Sequence, residues 1–261
     1  MPLSPWPYPL WIAHRGAGRL APENTLAAFR VGAGHGYRAF ECDVKLSADG
    51  VPFLIHDATL QRTTSSHGPA TALTWAKLSR LDAGSWHSPA WAGEPLPSLD
   101  CIARYCVHNG FALNIELKPP SRETAHATGR AVAQAADSLW ADAGMAPPLL
   151  SSFEPEALAG AREGAPRLPR ALLLDRLRDG WLGEAVGLGC VAVVAHYPLL
   201  DADVIGRIHD AGLRALSYTV NDPAEARRLI ACAIDGMITD AVDRFPPAAS
   251  GLAQELGVAG G

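Results

Sequence analysis

Side chains suited to metal binding and acid–base chemistry lie toward the ends of four short apolar segments of this 261-residue chain, or directly after them. A buried parallel strand presents the groups at its carboxyl end along one edge of a sheet. We therefore expect the polar groups after the four segments to meet in one site. These groups are His14, Arg15, Glu41, Asp43, His56, Asp57, Glu116 and Lys118.

Strand alternation predicts which of these side chains face the same way. Glu41 and Asp43 share one face of the segment 38–46, and Glu116 and Lys118 share one face of the segment that begins at 112. Each segment then has an apolar or small residue deeper along the strand and a reactive group nearer its end. The pattern predicts a site at the carboxyl ends of the strands.

Three carboxylates that meet in one place repel one another, and burying them without a counter-charge is costly. A hard divalent cation removes this conflict. An all-oxygen ligand set from Glu41, Asp43 and Glu116 favours Mg²⁺, Ca²⁺ or Mn²⁺ over zinc. We expect one such cation, with Mg²⁺ or Ca²⁺ as the first choices.

The two histidines fit acid–base catalysis, because an ordinary imidazole pKa of about 6.5 allows one to accept a proton and the other to donate one. His14 and His56 are the expected pair, and Arg15 and Lys118 supply the fixed positive charge that a phosphate requires. A cation, two histidines and two basic groups together indicate phosphoryl transfer.

Each feature considered alone also has a structural interpretation. Glu41 and Asp43 would ordinarily pair with arginines, and Glu116 with Lys118 would form a salt bridge along a strand. The coincidence of four segment ends favours a site over these alternatives. The other histidines are interpreted as structural or solvated: His35, His67, His87, His108, His126, His196 and His209.

The elements that position these residues follow a strand–helix alternation, and 261 residues is an ordinary size for one (β/α)8 barrel. A barrel uses eight strands, so one of nine candidates lies outside it. That strand is either 51–56, the hairpin partner of the second segment, or 236–239. The candidates are 10–13, 38–46, 51–56, 112–117, 148–153, 170–174, 191–195, 214–220 and 236–239.

Helix-start signals stand between these segments. Asn24 or Thr25 can cap the first helix, and Asp222 followed by Pro223 and Glu225 gives a strong start for the last one. Residues 58–97 contain three tryptophans and many turn formers, and we expect them to form an insertion over the barrel mouth. The predicted domain is 1–246, with 247–261 as a flexible tail. The other helices are expected to begin near Thr74, Ser98, Ser121, Glu154, Arg178 and Asp201.

Composition narrows the class of protein. A hydrophobic content of 48% indicates a large core, and a net charge of −5 without a basic run argues against nucleic acid as a partner. The sequence shows no signal-peptide pattern and no apolar run of membrane-spanning length. Five irregularly spaced cysteines favour a reducing compartment, and we expect a cytoplasmic location. The oligomeric state stays open, a homodimer included.

At these residues the chain resembles the glycerophosphodiester phosphodiesterases. The resemblance covers roughly residues 6–245 and extends through the insertion, at 81–86 and 93–99. A Trp-Pro-Tyr-Pro start, the 83–86 run and Tyr218 resemble the short cytosolic bacterial enzyme of the glycerol-3-phosphate uptake system. The matching motifs are H-R-G (14–16), P-E-N-T (22–25), E-x-D-V-x-L-S-x-D-G (41–50), H-D-x-T-L-x-R-T-T (56–64), N-I-E-L-K (114–118), S-S-F (151–153), Y-T-V-N (218–221) and I-T-D (238–240).

This resemblance implies a (β/α)8 TIM barrel with a small insertion after the third strand. It also implies cleavage of glycerophosphodiesters, such as glycerophosphocholine or glycerophosphoethanolamine, to glycerol 3-phosphate and an alcohol. Phe153 and Tyr218 would contact the glycerol or head-group side of the substrate, or would simply pack at the barrel top. The implied roles are metal ligands for Glu41, Asp43 and Glu116, acid–base catalysis for His14 and His56, and phosphate binding for Arg15 and Lys118.

Several alternatives stay open at this point. The nucleophile is either water or the glycerol 2-hydroxyl, and the second route passes through a cyclic phosphate. The same site could belong to a related phospholipase-type enzyme that acts on lysophospholipids. It could also belong to a non-catalytic protein that binds glycerophosphodiesters, although the full set of reactive side chains argues against that.

Overall fold

A computed structural model describes residues 5–247 of the chain. Strands and helices alternate through this range after the third strand, as the sequence predicts. The strands are β1 (Trp11–Ala13), β2 (Ala39–Leu46), β3 (Pro52–Leu54), β4 (Ala112–Leu117), β5 (Leu149–Ser152), β6 (Arg170–Leu174), β7 (Ala192–His196), β8 (Arg214–Tyr218) and β9 (Gly236–Thr239).

The helices mostly begin where the sequence signals stand. Thr25, Ser98, Asp201 and Asp222 each accept a hydrogen bond from a backbone N–H of the first helical turn. The helices are α1 (Leu26–Gly34), α2 (Trp75–Leu78), α3 (Leu99–Asn109), α4 (Arg122–Leu139), α5 (Pro155–Gly164), α6 (Trp181–Gly187), α7 (Ala202–Asp210) and α8 (Pro223–Ala231).

Eight of the described strands form a closed parallel barrel. Pairing runs in the order β1, β9, β8, β7, β6, β5, β4 and β2, and a further pairing of β1 with β2 closes the ring. Among the described strands β3 pairs with β2 alone, antiparallel, and its Phe53 also forms an isolated bridge with Ser98. The fold is therefore a (β/α)8 TIM barrel, and the extra strand is the hairpin partner rather than β9.

The apolar core formed by residues 5–247 has three parts. Alternate strand residues, including Ile12, Leu173 and Leu216, fill the inside of the barrel, and Trp6 and Tyr8 pack against them. A much larger cluster lies between the strands and the surrounding helices. A third, separate cluster lies beneath the insertion. The insertion thus has its own small core, to which Phe53 of β3 contributes. The residues of the third cluster are Phe53, Ile55, Leu60, Ala70, Leu78, Ala83 and Leu96.

The hairpin that starts the insertion reaches the barrel mouth. The backbone N–H of Ile55 donates to the carbonyl of Asp43 at 3.1 Å, and the N–H of Leu54 donates to the carbonyl of Pro97 at 3.1 Å. These two bonds hold the chain where it leaves β3. His56 follows directly and so stands at the mouth without belonging to a barrel strand.

Some boundaries differ from the sequence predictions. α6 begins at Trp181 rather than near Arg178, because Gly180 occupies the cap position in a left-handed conformation. The helix expected from Thr74 through Leu81 ends at Leu78. Residues 248–261, most of the predicted flexible tail, lie outside the described residues. Within residues 5–247, every helix is too short or too polar to cross a membrane.

Candidate active site

The turn after β1 holds His14 and Arg15 at the barrel mouth in an unusual backbone conformation. Arg15 has a φ of 51° and a ψ of 30°, which costs a residue with a side chain about 1–2 kcal/mol. Two hydrogen bonds offset this cost. The Arg15 N–H donates to Glu41 Oε2 at 3.1 Å, and the Arg15 carbonyl accepts from the Asn24 N–H at 2.9 Å.

Gly18 allows the same turn to pack against the segment after β9. A Cβ atom at this position would lie 2.1 Å from the backbone oxygen of Asp240, a distance that no side chain tolerates. Gly18 also has a φ of 56°. The glycine at position 18 is therefore explained by the close approach of Asp240, a residue to which the sequence alone assigns no role.

Glu41, Asp43 and Glu116 form a buried acidic cluster. Glu41 and Asp43 come from β2 and Glu116 from β4, and the strand register places Asp43 directly beside Glu116. One carboxylate oxygen from each lies within 4.8 Å of the others. Opposite oxygen ligands of Ca²⁺ at 2.3–2.6 Å are separated by about 5 Å, so these oxygens are already close enough to share a cation.

Asp43 carries most of the cluster's ion pairs. It is fully buried, its carboxylate lies 3.1 Å from Arg15 Nε and 3.4 Å from Lys118 Nζ, and Asn24 Nδ2 donates to it at 2.8 Å. Burial alone would raise its pKa, but the charges of Arg15 and Lys118 hold the pKa of Asp43 below its ordinary value. This carboxyl group is therefore ionised at neutral pH.

The other two carboxyl groups are less well compensated. Burial, and then the neighbouring Asp43 charge, raise the pKa of Glu116 to about 7 although Lys118 Nζ lies 2.6 Å away. Burial, and then the charges of Asp43 and Glu116, raise the pKa of Glu41 well above its ordinary value. Glu41 Oε1 is buried and has no hydrogen-bond partner among the described residues. The cluster lacks positive charge at Glu41, and a divalent cation would supply it.

His14 is supported by Asp240, the residue that follows β9. The distance from His14 Nδ1 to Asp240 Oδ1 is 2.6 Å. Asp240 is itself fixed, because its N–H donates to Asn221 Oδ1 at 2.8 Å and it accepts from Asn221 Nδ2 at 3.2 Å. Nε2 of His14 lies 3.8 Å from Glu41 Oε2, so the free side of the ring faces the acidic cluster.

His56 is supported by Asp57, its neighbour in the sequence. The distance from His56 Nδ1 to Asp57 Oδ1 is 2.8 Å. Burial lowers the pKa of His56, and the Asp43 charge and the Asp57 hydrogen bond only partly oppose this. The hydrogen bond from Arg62 is the main reason that the pKa of Asp57 lies below its ordinary value.

Two aromatic residues stand on the Lys118 side of the mouth. The Phe153 ring centroid lies 5.8 Å from Lys118 Nζ and 5.7 Å from the Tyr218 ring. The Tyr218 hydroxyl donates to the Leu174 carbonyl at 3.1 Å, which fixes the ring. A cleft of about 430 Å³ opens beside His14 and Arg15 and is lined in part by Trp86 and His87 of the insertion.

The structure thus brings most of the predicted site residues together. His14, Arg15 and Lys118 contact the acidic cluster directly, and His56 and the Phe153–Tyr218 pair stand around it. The sequence alone grouped Asp57 with the site and offered Asn24 as a helix cap, but it assigned no catalytic or binding role to these or to several other residues of the same site, although all of them stand inside the quoted motifs. They are Glu23, Asn24, Asp57, Arg62, Asn114, Asn221 and Asp240.

Asn114 is the least expected of these residues. It pairs in register with Glu41 across β2 and β4, and both atoms of its side-chain amide are buried without a hydrogen-bond partner in the described part of the chain. A buried amide of this kind ordinarily has a partner. Together with Glu41 Oε1 it indicates that the floor of the site is built to receive polar groups.

The barrel and its acidic mouth, flanked by two histidine–aspartate pairs, match one family over most of the chain. Residues 14–244 correspond to the glycerophosphoryl diester phosphodiesterase family, and the chain belongs to this family. It is therefore an enzyme, a hydrolase of phosphoric diesters.

Individual relatives are similar over nearly their whole length. YhdW of Bacillus subtilis is 34% identical, covering 89% of this chain and 94% of its own. A glycerophosphodiester phosphodiesterase of Caldanaerobacter subterraneus is 28% identical over 88% of this chain and 93% of its own. A solved phosphodiesterase of Oleispira antarctica, in complex with the product sn-glycerol-3-phosphate, has a TM-score of 0.83 and 31% identity, covering 92% of this chain and 94% of its own.

Proposed function

We propose that this enzyme hydrolyses glycerophosphodiesters such as glycerophosphocholine or glycerophosphoethanolamine to glycerol 3-phosphate and a free alcohol. The observation that carries the proposal is the set of three carboxylate oxygens within 4.8 Å of one another, flanked by two histidine–aspartate pairs. The product bound in the Oleispira antarctica relative supports the choice of substrate.

Glu41, Asp43 and Glu116 would hold one divalent cation, with Mg²⁺ or Ca²⁺ favoured over Mn²⁺. When bound, it supplies positive charge to the phosphate and to the charge that develops in the transition state. Arg15 Nε lies 3.1 Å from Oδ2 of Asp43 and Lys118 Nζ lies 3.4 Å from Oδ1, and these two cations would bind further phosphate oxygens. Arg15 is held for this task by Glu23, 2.9 Å from its Nη1.

The two histidines would divide the proton transfers. In each, Nδ1 lies within hydrogen-bond distance of an aspartate, so Nδ1 carries the hydrogen and Nε2 is left to exchange a proton with the substrate. His14, whose Nε2 faces the cluster, would take the proton of the nucleophile. His56 would protonate the leaving alkoxide from the other side of the phosphate.

Two nucleophiles are compatible with this arrangement of residues. Either a water molecule or the glycerol 2-hydroxyl can be deprotonated by His14, and the second route forms a cyclic glycerol phosphate that is then opened by water. Trapping of 1,2-cyclic glycerol phosphate with a slow variant would establish that second route. Phe153 and Tyr218 would form the wall against which the apolar face of the glycerol or the head group lies.

A coupled assay for released glycerol 3-phosphate, run with and without a chelator, tests the proposal. We expect release of glycerol 3-phosphate, loss of activity with chelator, and recovery when Mg²⁺, Ca²⁺ or Mn²⁺ is added back. Release of a phospho-alcohol in place of glycerol 3-phosphate would contradict the proposed cleavage position. Undiminished activity in chelator would contradict the cation.

We also propose a cytoplasmic location. All five cysteines are free thiols, and three of them are buried. Unpaired cysteines are typical of proteins kept in a reducing compartment. Measurement of the protein in fractionated cells tests this directly, and recovery in an extracytoplasmic fraction would contradict it.

A further inference from the structure

Arg62 of the insertion makes two separate two-point contacts with carboxylates. Its Nε and Nη2 atoms donate to Asp57 at 2.6 and 2.8 Å, and its Nη1 and Nη2 atoms donate to Glu23 at 2.8 and 2.7 Å. The guanidinium therefore fills the space between the two carboxylates with both of its forked edges. Only arginine has a planar group that can do this.

These contacts connect Arg15 with His56, and the proposed function gives these two side chains separate tasks. Glu23 also accepts from Arg15 Nη1 at 2.9 Å, and Asp57 also contacts His56 Nδ1 at 2.8 Å. A continuous path of hydrogen bonds thus runs from Arg15, beside the acidic cluster, through Glu23, Arg62 and Asp57 to His56. Each step is a charge-assisted contact of 2.6–2.9 Å.

His56 needs such support more than His14 does. His14 follows a barrel strand, and its partner Asp240 is fixed by Asn221 at the end of another barrel strand. His56 follows β3, which lies outside the barrel, and its ring is one-third exposed. Among the described residues, the side chain of Asp57 is hydrogen-bonded to His56 and Arg62 alone.

We propose that Arg62 is a positioning residue that sets the orientation of His56 through Asp57 and fixes its place relative to Arg15 through Glu23. This inference rests on the proposed function, since it takes His56 to be the group that protonates the leaving alkoxide. Arg62 does not itself touch the reacting atoms. Its effect is to hold the acid at one position above the phosphate that Arg15 binds.

The first test is Arg62→Ala, assayed on two substrates that differ only in the leaving group. Glycerophosphocholine releases a poor leaving group that needs a proton, whereas the p-nitrophenyl ester of glycerol 3-phosphate releases a stable phenolate that does not. We expect kcat to fall by about 10- to 100-fold on glycerophosphocholine, because an ångström-scale misplacement costs about that much. The p-nitrophenyl ester should lose less than about 3-fold. Equal losses on both substrates would overturn the proposal.

The second test combines Arg62→Ala with His56→Ala. If Arg62 acts only through His56, its removal has no further effect once the imidazole is gone, and the double variant equals His56→Ala alone. Losses that multiply would overturn the proposal. If His56→Ala alone kept wild-type activity, the proposed function would fail instead, so the two failures are distinguishable.

Arg228→Ala provides a matched control for loss of a multiply bonded arginine. Arg228 contacts Glu225 and the carbonyls of Leu200 and Tyr197, residues to which the proposed function gives no task. Arg228→Ala should affect stability without changing the ratio of the activities on the two substrates.

Arg62→Lys keeps the charge but not the two forked edges, so we expect its activity on glycerophosphocholine to stay impaired. Added guanidinium ion should restore part of the activity of Arg62→Ala. Full activity in Arg62→Lys would contradict the role of the forks.

Discussion

The two histidine–aspartate pairs at the barrel mouth are chemically alike but are supported by different parts of the molecule. The His14 pair rests on the ends of β1 and β9, and its aspartate is fixed by Asn221 and by backbone contacts. The His56 pair rests on the insertion, and its aspartate is held by Arg62. One pair is positioned by strand register, the other by a single ion-pair network.

This difference separates two ways of placing a side chain that we propose to be catalytic. A barrel strand fixes its terminal residue through backbone hydrogen bonds on both sides, which a side-chain substitution does not remove. A loop outside the barrel has no such ladder, so charged contacts must replace it. The position of His56 is therefore expected to be more sensitive than that of His14 to salt and to substitution of the residues that support it.

Removal of the acidic cluster that both pairs share should give the largest effect. In Asp43→Asn the principal ionised carboxylate is lost, and a cation worth several kcal/mol to the transition state is bound poorly. We expect a loss of about 10³-fold in kcat/KM, since each 1.36 kcal/mol is tenfold. Calorimetric titration with Mg²⁺ or Ca²⁺ measures the lost affinity directly.

Asp142→Asn is the matched control for this variant, because Asp142 is exposed on the loop after α4. It should bind the cation and turn over substrate like the parent. Unchanged cation affinity in Asp43→Asn would show that the cluster is not the binding site.

His14→Ala and His56→Ala should each lower turnover of glycerophosphocholine by about 10²-fold or more. The activities of the two variants should differ on the p-nitrophenyl ester of glycerol 3-phosphate. His56→Ala should recover most of its activity there, because the leaving group needs no proton, whereas His14→Ala should stay impaired. His108→Ala, an exposed histidine of α3, serves as the control. Recovery of His14→Ala instead would exchange the two roles.

The aspartates that support His56 and His14 are tested by Asp57→Asn and Asp240→Asn. We expect each variant to lose about 10- to 100-fold in kcat. Ionic strength also distinguishes the two pairs. The contacts of Asp57 are partly exposed, whereas Asp240 is held in part by a hydrogen bond of its own backbone N–H. Raising the salt concentration should lower the parent's activity on glycerophosphocholine more than its activity on the p-nitrophenyl ester. A salt effect that is the same for both substrates would contradict the difference between the pairs.

The smallest effect concerns stability at mildly acidic pH. Burial lowers the folded-state pKa of His56, so below an ordinary pKa of about 6.5 the unfolded chain binds more protons than the folded protein. Folding stability from this group is therefore lost as the pH falls from about 6.5 through the lowered pKa. Urea unfolding of cation-free protein should show a smaller acid-induced loss for His56→Gln than for the parent. His108→Gln should behave like the parent, and equal losses in all three would contradict the prediction.

Much of the site was predictable because it depends on a short-range rule. Alternation along a strand places Glu41 with Asp43, and parallel strands end at one edge of a barrel, so the convergence of Glu41, Asp43 and Glu116 follows from the pattern. The supporting residues were not predictable in this way. Asp240 is 226 positions from His14, and Glu23 is 39 positions from Arg62. No local periodicity relates residues so far apart.

The sequence by itself determined the strand–helix alternation, most helix starts and the types of residue at the barrel mouth. It left open whether β3 or β9 stands outside the barrel, because both are short apolar segments and a segment's own residues do not specify its pairing partner. Closure of the ring by β1 and β2 decided this, since pairing partners depend on the whole circuit of strands. Tertiary structure also decided that Arg62 lies between Asp57 and Glu23, because only the folded insertion brings these charges together.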